Sequence, residues 1–352
     1  MRVTSATEAF RNHAYRAKLL YMRRLIVVLL LSLVVCLPSF AQKLTVYAID
    51  VEGGKAMLIV TPEKESLLVD AGWPNNTRDV ERILAATKDA GISKIDYLLV
   101  THYHVDHVGG VPAVVERIPV GHVIDHGANV EHSRYTEKLY DEYQKTTAKI
   151  PHITVKPGDK LPLKGVQIDI VAAAGEAIKP AKAGLPQNPA CNGLVAKAPE
   201  NDENDQSVGF ILRFGKFQMV DLTDLTAGKE PMLFCPSNLL GTVPVLMVSH
   251  HGFDRSTSPL LLGSLKPRVA IMNNGQKKGG DESVVKSIYA SPGLEAMWVL
   301  HGGPGMGAVP EKFDANPEAD CKGYGIKLVA EKNGWFTILN LRNNYSVTYP
   351  AK

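Results

Sequence analysis

The chain has 352 residues, 45% of them hydrophobic and 21% charged, which excludes the disordered, collagenous and low-complexity classes. Its formal net charge of +3 is concentrated at one end: residues 1–41 hold six Lys and Arg against Glu8 alone, so without them the charge falls to −2. The remainder therefore lacks the basic footprint of a nucleic-acid-binding surface.

Met22-Arg23-Arg24 is followed by an apolar run, Leu25–Leu37, broken only by Ser32, and then by small residues, Ser39 and Ala41, three and one positions before Gln42. That is the order of a secretory signal. The run is shorter than the ~20 residues that a membrane-crossing helix needs. We therefore expect residues 1–41 to be a signal peptide, with 1–21 as an over-long start. The mature protein is then secreted or periplasmic and leaves the membrane after cleavage. Cys191, Cys235 and Cys321 remain, and export permits one disulfide with one thiol left over.

Leu44–Asp50, Ala56–Thr61 and Ser66–Asp70 are β-rich runs separated by turn residues. Asn76–Ala90 carries apolar residues at Val80, Ile83 and Leu84 in helical spacing. Ile95–Val100 reads as a buried strand ending at Thr101-His102, and Val111–Ile118 as a helix. His122–Asp125 reads as a strand and Glu137–Thr147 as a helix. Val166–Ala172, Ser207–Phe214 and Phe217–Leu222 read as strands around a loop-like insertion at 173–206. The second half alternates: strand Val243–Ser249, helix Pro259–Leu265, strand Val269–Met272, helix Asp281–Ala290, strand Met297–Leu300. Ile326–Ala330, Trp335–Leu341 and Ser346–Tyr349 close it. Two sheets flanked by helices follow, in one domain over 42–352.

The chemistry concentrates in His102-Tyr103-His104-Val105-Asp106-His107. On an extended stretch alternate residues point the same way, so His102 and His104 can meet one ion with Tyr103 turned aside. Asp106 and His107 follow where the chain begins to coil and can serve a second. This nitrogen and oxygen donor set suits Zn²⁺ and tolerates Mn²⁺ or Fe²⁺. His122, His126, His132 and His152 read better as surface or hydrogen-bonded side chains.

The His-x-His-x-Asp-His run after a strand resembles the signature of the metallo-β-lactamase superfamily. The likeness implies an α/β fold, a four-layer αββα sandwich. In Leu67–Gly72 it implies that Asp70 supports the metal loop, and in Met219–Asp224 that Asp224 bridges two ions. Asn204-Asp205-Gln206-Ser207, Val248-Ser249-His250-His251-Gly252 and Leu265–Ala270 resemble the secreted hydrolase domain of ComEC-type DNA-uptake proteins, over roughly residues 44–302. That branch implies His251 as a ligand and His250 as a neighbour touching substrate or leaving group, with their order open. Two departures stand out. Relatives carry Tyr-Gly-His-Pro where this chain has Lys278-Gly279-Gly280-Asp281-Glu282, so the second ion's shell needs His301, or Asp281 as the alternative. The early Asp-Val-Gly-Gln-Gly-Asp appears as Asp50-Val51-Glu52-Gly53-Gly54-Lys55, which weakens any transfer of DNA cleavage.

The resemblance implies a metal-dependent hydrolase with two divalent ions, Zn first and Mn or Fe next. Its ligands are His102, His104, Asp106, His107, Asp224, His251 and His301. Asp106 and His250 are the expected catalytic residues. Tyr103, Asn204, Asp205 and Phe253 are the expected substrate-pocket residues. The substrate expected is a small or polymeric phosphoester, a phosphodiester foremost. A hydrolase of lactam, lactone or thioester bonds is the alternative, as is a binding protein with a degraded second metal site.

Overall fold

The computed structural model describes residues 43–352 apart from 75, 76, 196, 304, 305, 308 and 319, together with helical residues at 11, 13, 15, 16 and 18–23. The expected signal run and its cut before Gln42 lie outside the described residues, as does Asn76. Among the described residues no helix is long and apolar enough to cross a membrane.

In the first sheet, β1 (Lys43–Ala48), β2 (Met57–Val60) and β3 (Ser66–Val69) form an antiparallel meander. β4 (Ile95–Leu99), β5 (Val120–Asp125) and β6 (His152–Thr154) continue it in parallel. The crossovers are α1 (Thr77–Ala90), the pair α2 (Val105–Val108) and α3 (Val111–Arg117), and α4 (Arg134–Thr147). The sheet closes on the far side of β1 with β15 (Ile326–Glu331), β16 (Phe336–Asn340) and β17 (Ser346–Tyr349).

The second sheet runs β7 (Lys160–Leu161), β8 (Gln167–Ala173), β10 (Gly209–Phe214), β11 (Phe217–Asp221), β12 (Val245–Met247), β13 (Val269–Met272) and β14 (Ala296–Val299), with β9 (Glu176–Ala177) paired to β8. Its last four strands are parallel. α7 (Pro259–Leu265) and α8 (Glu282–Tyr289) link β12 to β13 and β13 to β14.

Strand alternation sorts the side chains into layers. Leu67 and Val69 of β3 and Met219 of β11 enter one core between the sheets, with Phe210, Val245 and Trp298. Leu68 turns to the helices of the first sheet, and Val220 to those of the second. The result is the four-layer αββα sandwich.

Three details differ from the sequence reading. β3 stops at Val69 because Asp70 takes a left-handed backbone, φ 58°. The insertion at 173–206 is not all loop: it holds β9, a turn at Pro189–Cys191 and the short helix α5 (Glu203–Gln206). α6 (Pro231–Phe234) was also not foreseen, and a disulfide joins Cys191 to Cys235 just after it. Cys321 is a free thiol.

Lys55 and Asp221 bind the two sheets where the loops emerge. The Lys55 Nζ lies 2.8 and 2.7 Å from the two Asp221 oxygens, and both side chains are buried. Removing one member of such a pair strands the other charge out of water. Lys55→Met is expected to lower unfolding free energy by about 3–5 kcal/mol, read by chemical denaturation. The double variant Lys55→Met/Asp221→Asn is expected to recover much of the loss.

Candidate metal centre

Parallel strands end together at one edge of each sheet, the usual place for a site in such architectures. Asp70 follows β3, His102–His107 follow β4, Asp224 follows β11, and His250 and His251 follow β12. Asn204, on α5, joins them from the insertion.

Asp70 organises the first loop. Thr101 donates to it through its backbone N at 2.8 Å and its hydroxyl at 2.7 Å, and His107 Nδ1 lies 2.8 Å from Oδ2. Since the carboxylate accepts, His107 carries its proton on Nδ1 and turns a lone pair outward on Nε2. His251 Nδ1 lies 2.8 Å from the Asn273 carbonyl, which can only accept, so its Nε2 also presents a lone pair. These two Nε2 atoms face each other at 3.2 Å. Asp106 Oδ2 is 3.0 Å from His251 Nε2 and 3.4 Å from His107 Nε2. Asp224 Oδ2 is 3.4 and 3.2 Å from the same atoms.

A second convergence lies beside it. The Thr101 hydroxyl, already donating to Asp70, accepts from His102 Nδ1 at 3.2 Å. Glu131 accepts from His104 Nε2 at 2.9 Å. That leaves His102 Nε2 and His104 Nδ1 facing at 3.1 Å with lone pairs toward each other. Asn204 donates its amide to Asp202 at 3.1 Å, which directs Oδ1 to 2.9 Å from His104 Nδ1. Asp224 Oδ2 lies 4.0 Å from His102 Nε2.

Each convergence brings imidazole nitrogens and carboxylate oxygens together in a buried space, where a proton or a cation must stand between them. Among the described residues, His102, His107 and Asp224 form one group whose donor atoms could hold a divalent ion, and Asp106, His107 and His251 another. Without an ion, a proton on His107 takes its place. Burial opposes a charged His107, yet Asp224, Asp106 and Asp70 hold it well above the ordinary imidazole range. Burial also opposes ionised Asp224 and Asp106, yet the surrounding histidines hold both well below the carboxylate range. His102 is driven down by burial and by the neighbouring His107 and His104.

The backbone here is strained. Thr223, His250 and His251 all have positive φ, 52°, 53° and 54°, a conformation that costs a non-glycine residue about 1–3 kcal/mol. The turn at Thr223 aims Asp224. The paired turn at His250 and His251 sends His251 to Asp106 and leaves His250 Nε2 3.7 Å from Asp224. His250 is buried against Phe253, whose ring meets it edge-on at 5.4 Å.

Four sequence expectations need correction. His301 is not brought to this cluster: its Nε2 bonds Asp50 at 2.8 Å, beside Cys321, whose thiol donates to Asp50 at 2.9 Å. Asp281 instead accepts from the Asp254 backbone at 2.9 Å and fixes the loop after His251. Tyr103 is fully buried, donating to the Gly127 carbonyl at 2.5 Å and packing on His126, Tyr140 and Tyr143. Asp205 accepts from Thr226 and Asn201 and holds the α5 turn rather than lining a pocket. Three participants had no reading in the sequence. Glu131 orients His104. Glu203 accepts from His126 and from the backbone of Tyr103 and Val130. Lys278 donates to Asp106.

The fold brings together two groups of side chains that could each hold a metal ion. Residues 49–181 match the metallo-beta-lactamase superfamily model. It is 27% identical over 230 residues to Recombination protein 2 of Haemophilus influenzae, a ComEC-like protein, covering 65% of this chain and 24% of that one. It is 37% identical over 70 residues to the Beta-lactamase-like protein 2 homolog of Caenorhabditis elegans, covering 19% of this chain and 22% of that one. The chain thus spans under a quarter of the length of these curated relatives. Among solved structures it overlaps CmlA, a diiron beta-hydroxylase from Streptomyces venezuelae, at 15% identity and TM-score 0.43, covering 73% of this chain and 53% of that one. It overlaps a diphosphatase of the PhnP family at 15% identity and TM-score 0.41, covering 71% and 94%.

Zn²⁺ added to chelator-stripped protein at a hundredfold excess over Kd is expected to raise unfolding free energy by about 2.7 kcal/mol. Asp224→Ala removes the carboxylate common to both clusters and is expected to abolish that rise and leave no metal in elemental analysis. Asp70→Asn leaves every ligand in place but disturbs the proton on His107. It is expected to weaken metal affinity about 10–100-fold, measured by competition with a chromogenic chelator.

Proposed function

We propose that the protein hydrolyses phosphoesters, phosphodiesters foremost, outside the cytoplasm. The observation that carries the reading is the pair of lone-pair clusters joined by Asp224, with His250 buried at their side. Zn²⁺ best fits the imidazole-rich donors, and Mn²⁺ or Fe²⁺ is the alternative. Divalent ions held there supply Lewis acidity, making water a nucleophile at neutral pH and drawing charge from the group attacked. The chain's own residues do the rest. Asp70, Glu131 and Asn273 fix which nitrogen of each histidine faces inward. Asp106 and Asp224 balance the positive charge of the centre. His250 is placed to hold the departing oxygen or return a proton to it.

Similarity to Recombination protein 2 favours phosphodiesters over lactams, lactones or thioesters, since the same centre serves either chemistry and the pocket decides. Export is supported by the basic, apolar and small-residue order of residues 22–41 and by the Cys191–Cys235 disulfide, which oxidising compartments sustain.

With Zn²⁺ or Mn²⁺ added, the protein is expected to release p-nitrophenolate from bis-p-nitrophenyl phosphate while leaving nitrocefin and a simple lactone intact. His102→Ala is expected to abolish release with an unchanged circular dichroism spectrum. Turnover of nitrocefin or the lactone without turnover of the diester would overturn the phosphoester assignment. No turnover of any of the three, in protein shown to hold metal, would favour a binding role.

A further inference from the structure

Lys278 opens the run that stands where relatives of the ComEC branch carry Tyr-Gly-His-Pro, and it reaches the centre as a cation rather than a ligand. Its Nζ donates to Asp106 Oδ2, the oxygen that also lies 3.0 Å from His251 Nε2 and 3.4 Å from His107 Nε2. The ammonium sits over the Trp73 ring, 5.1 Å from its centroid. Asp106 is buried, while the Lys278 side chain keeps 28% of its surface exposed.

The route of this side chain is built into the backbone. A Cβ on Gly53 would fall 2.7 Å from the Lys278 Cβ, so the absence of a side chain there leaves room for the lysine stem. A Cβ on Gly279 would fall 2.1 Å from the His251 carbonyl oxygen, and Gly279 itself has φ 80°. Gly280 N donates to that same carbonyl at 2.9 Å, and Gly275 N donates to the Lys278 carbonyl at 2.8 Å. The loop is thus clamped onto the backbone of His251 and delivers Lys278 to Asp106. Gly53 and the pair Gly279-Gly280 acquire a purpose that a metal-ligand pattern alone does not give them.

We propose that Lys278 is a built-in competitor for the second metal position: its ammonium holds Asp106, so the ion at Asp106, His107 and His251 binds weakly and exchangeably while the ion at His102, His104, Asn204 and Asp224 binds tightly. This rests on the reading of the centre as metal-dependent. The physical reason is charge. A divalent ion entering the second position must approach an ammonium already bonded to Asp106 Oδ2 or displace it, and the like-charge repulsion opposes its binding. No equivalent cation opposes the first position among the described contacts: His104 and Asn204 there are held by Glu131 and Asp202, both acidic. Once displaced, the lysine remains at the exposed mouth, tethered by its loop, where it can meet an anionic oxygen.

The test is calorimetric titration of chelator-stripped protein with Zn²⁺, backed by elemental analysis after dialysis. Wild type is expected to show two dissociation constants at least a hundredfold apart and to retain one ion per chain. Lys278→Met is expected to bring the two constants within tenfold and to retain two ions. Lys278→Arg, which keeps the charge, is expected to behave as wild type. Two equally tight ions in wild type would overturn the proposal. So would a Lys278→Met protein, folded by circular dichroism, that still retains one. These readouts do not depend on turnover. If they come out as expected while bis-p-nitrophenyl phosphate is not cleaved, the phosphoesterase reading fails and the role of Lys278 stands.

Discussion

The centre depends on one buried cation that touches no proposed metal ligand side chain. Lys55 lies in the loop between β1 and β2 and spans the gap between the sheets to reach Asp221. Its backbone N donates to the Asp106 carbonyl at 3.0 Å, and its carbonyl accepts from Gly72 N at 3.0 Å. Asp221 in turn accepts from Thr223 N at 2.9 Å and shapes the turn that aims Asp224. One residue therefore sets the spacing between the His102–His107 loop, the Asp70 loop and the Asp224 turn. In the ComEC-type motif this position is acidic. Here the opposite charge does mechanical work, and the departure that weakens the transfer of DNA cleavage is also what holds this version of the site in register.

Around that clamp the chain accepts backbone strain wherever a carboxylate or imidazole must be aimed. Asp70, Thr223, His250 and His251 are all left-handed without being glycine. Such conformations persist only where the surroundings over-determine them. The surroundings here are rigid strand ends: Asp70 N donates to Leu99 O at 2.8 Å, His250 N to Thr223 O at 2.8 Å, and Val248 N to Ile271 O at 2.8 Å. The sandwich supplies stiffness, and the site spends part of it on geometry.

How much of this was legible follows from sequence distance. His102, His104, Asp106 and His107 could be grouped because they are neighbours on one strand end, where alternation and the first turn of a helix decide direction. The same alternation that turns His102 and His104 together turns Tyr103 into the core, so reading it as a pocket residue ran against its own spacing. Asp70, Asp224 and His251 were reachable because each follows an apolar strand. His301 follows a strand too, but position at a strand end does not say which neighbour claims the imidazole. Asp50, 251 residues away, claims it. Glu131 and Glu203 were invisible for the same reason: an acid in a loop and one opening the short helix α5, with partners 27 and 73–100 residues away. Lys278 left a trace, a basic residue beside two glycines where relatives have a histidine, but only the fold shows where its side chain goes.

The placement of β1 has a consequence for how the chain comes to be folded. β1 is an interior strand, flanked by β2 on one side and by β15 on the other. The second neighbour comes from Ile326–Glu331, almost the whole length of the polypeptide away. Until those residues arrive, β1 is an open edge with a row of unpaired amides and carbonyls, ready to pair with any other extended segment. Closure of the first sheet is therefore a late, long-range event with a large loop to close. A newly made chain stays unfinished along this seam until Ile326–Glu331 is available to pair with β1.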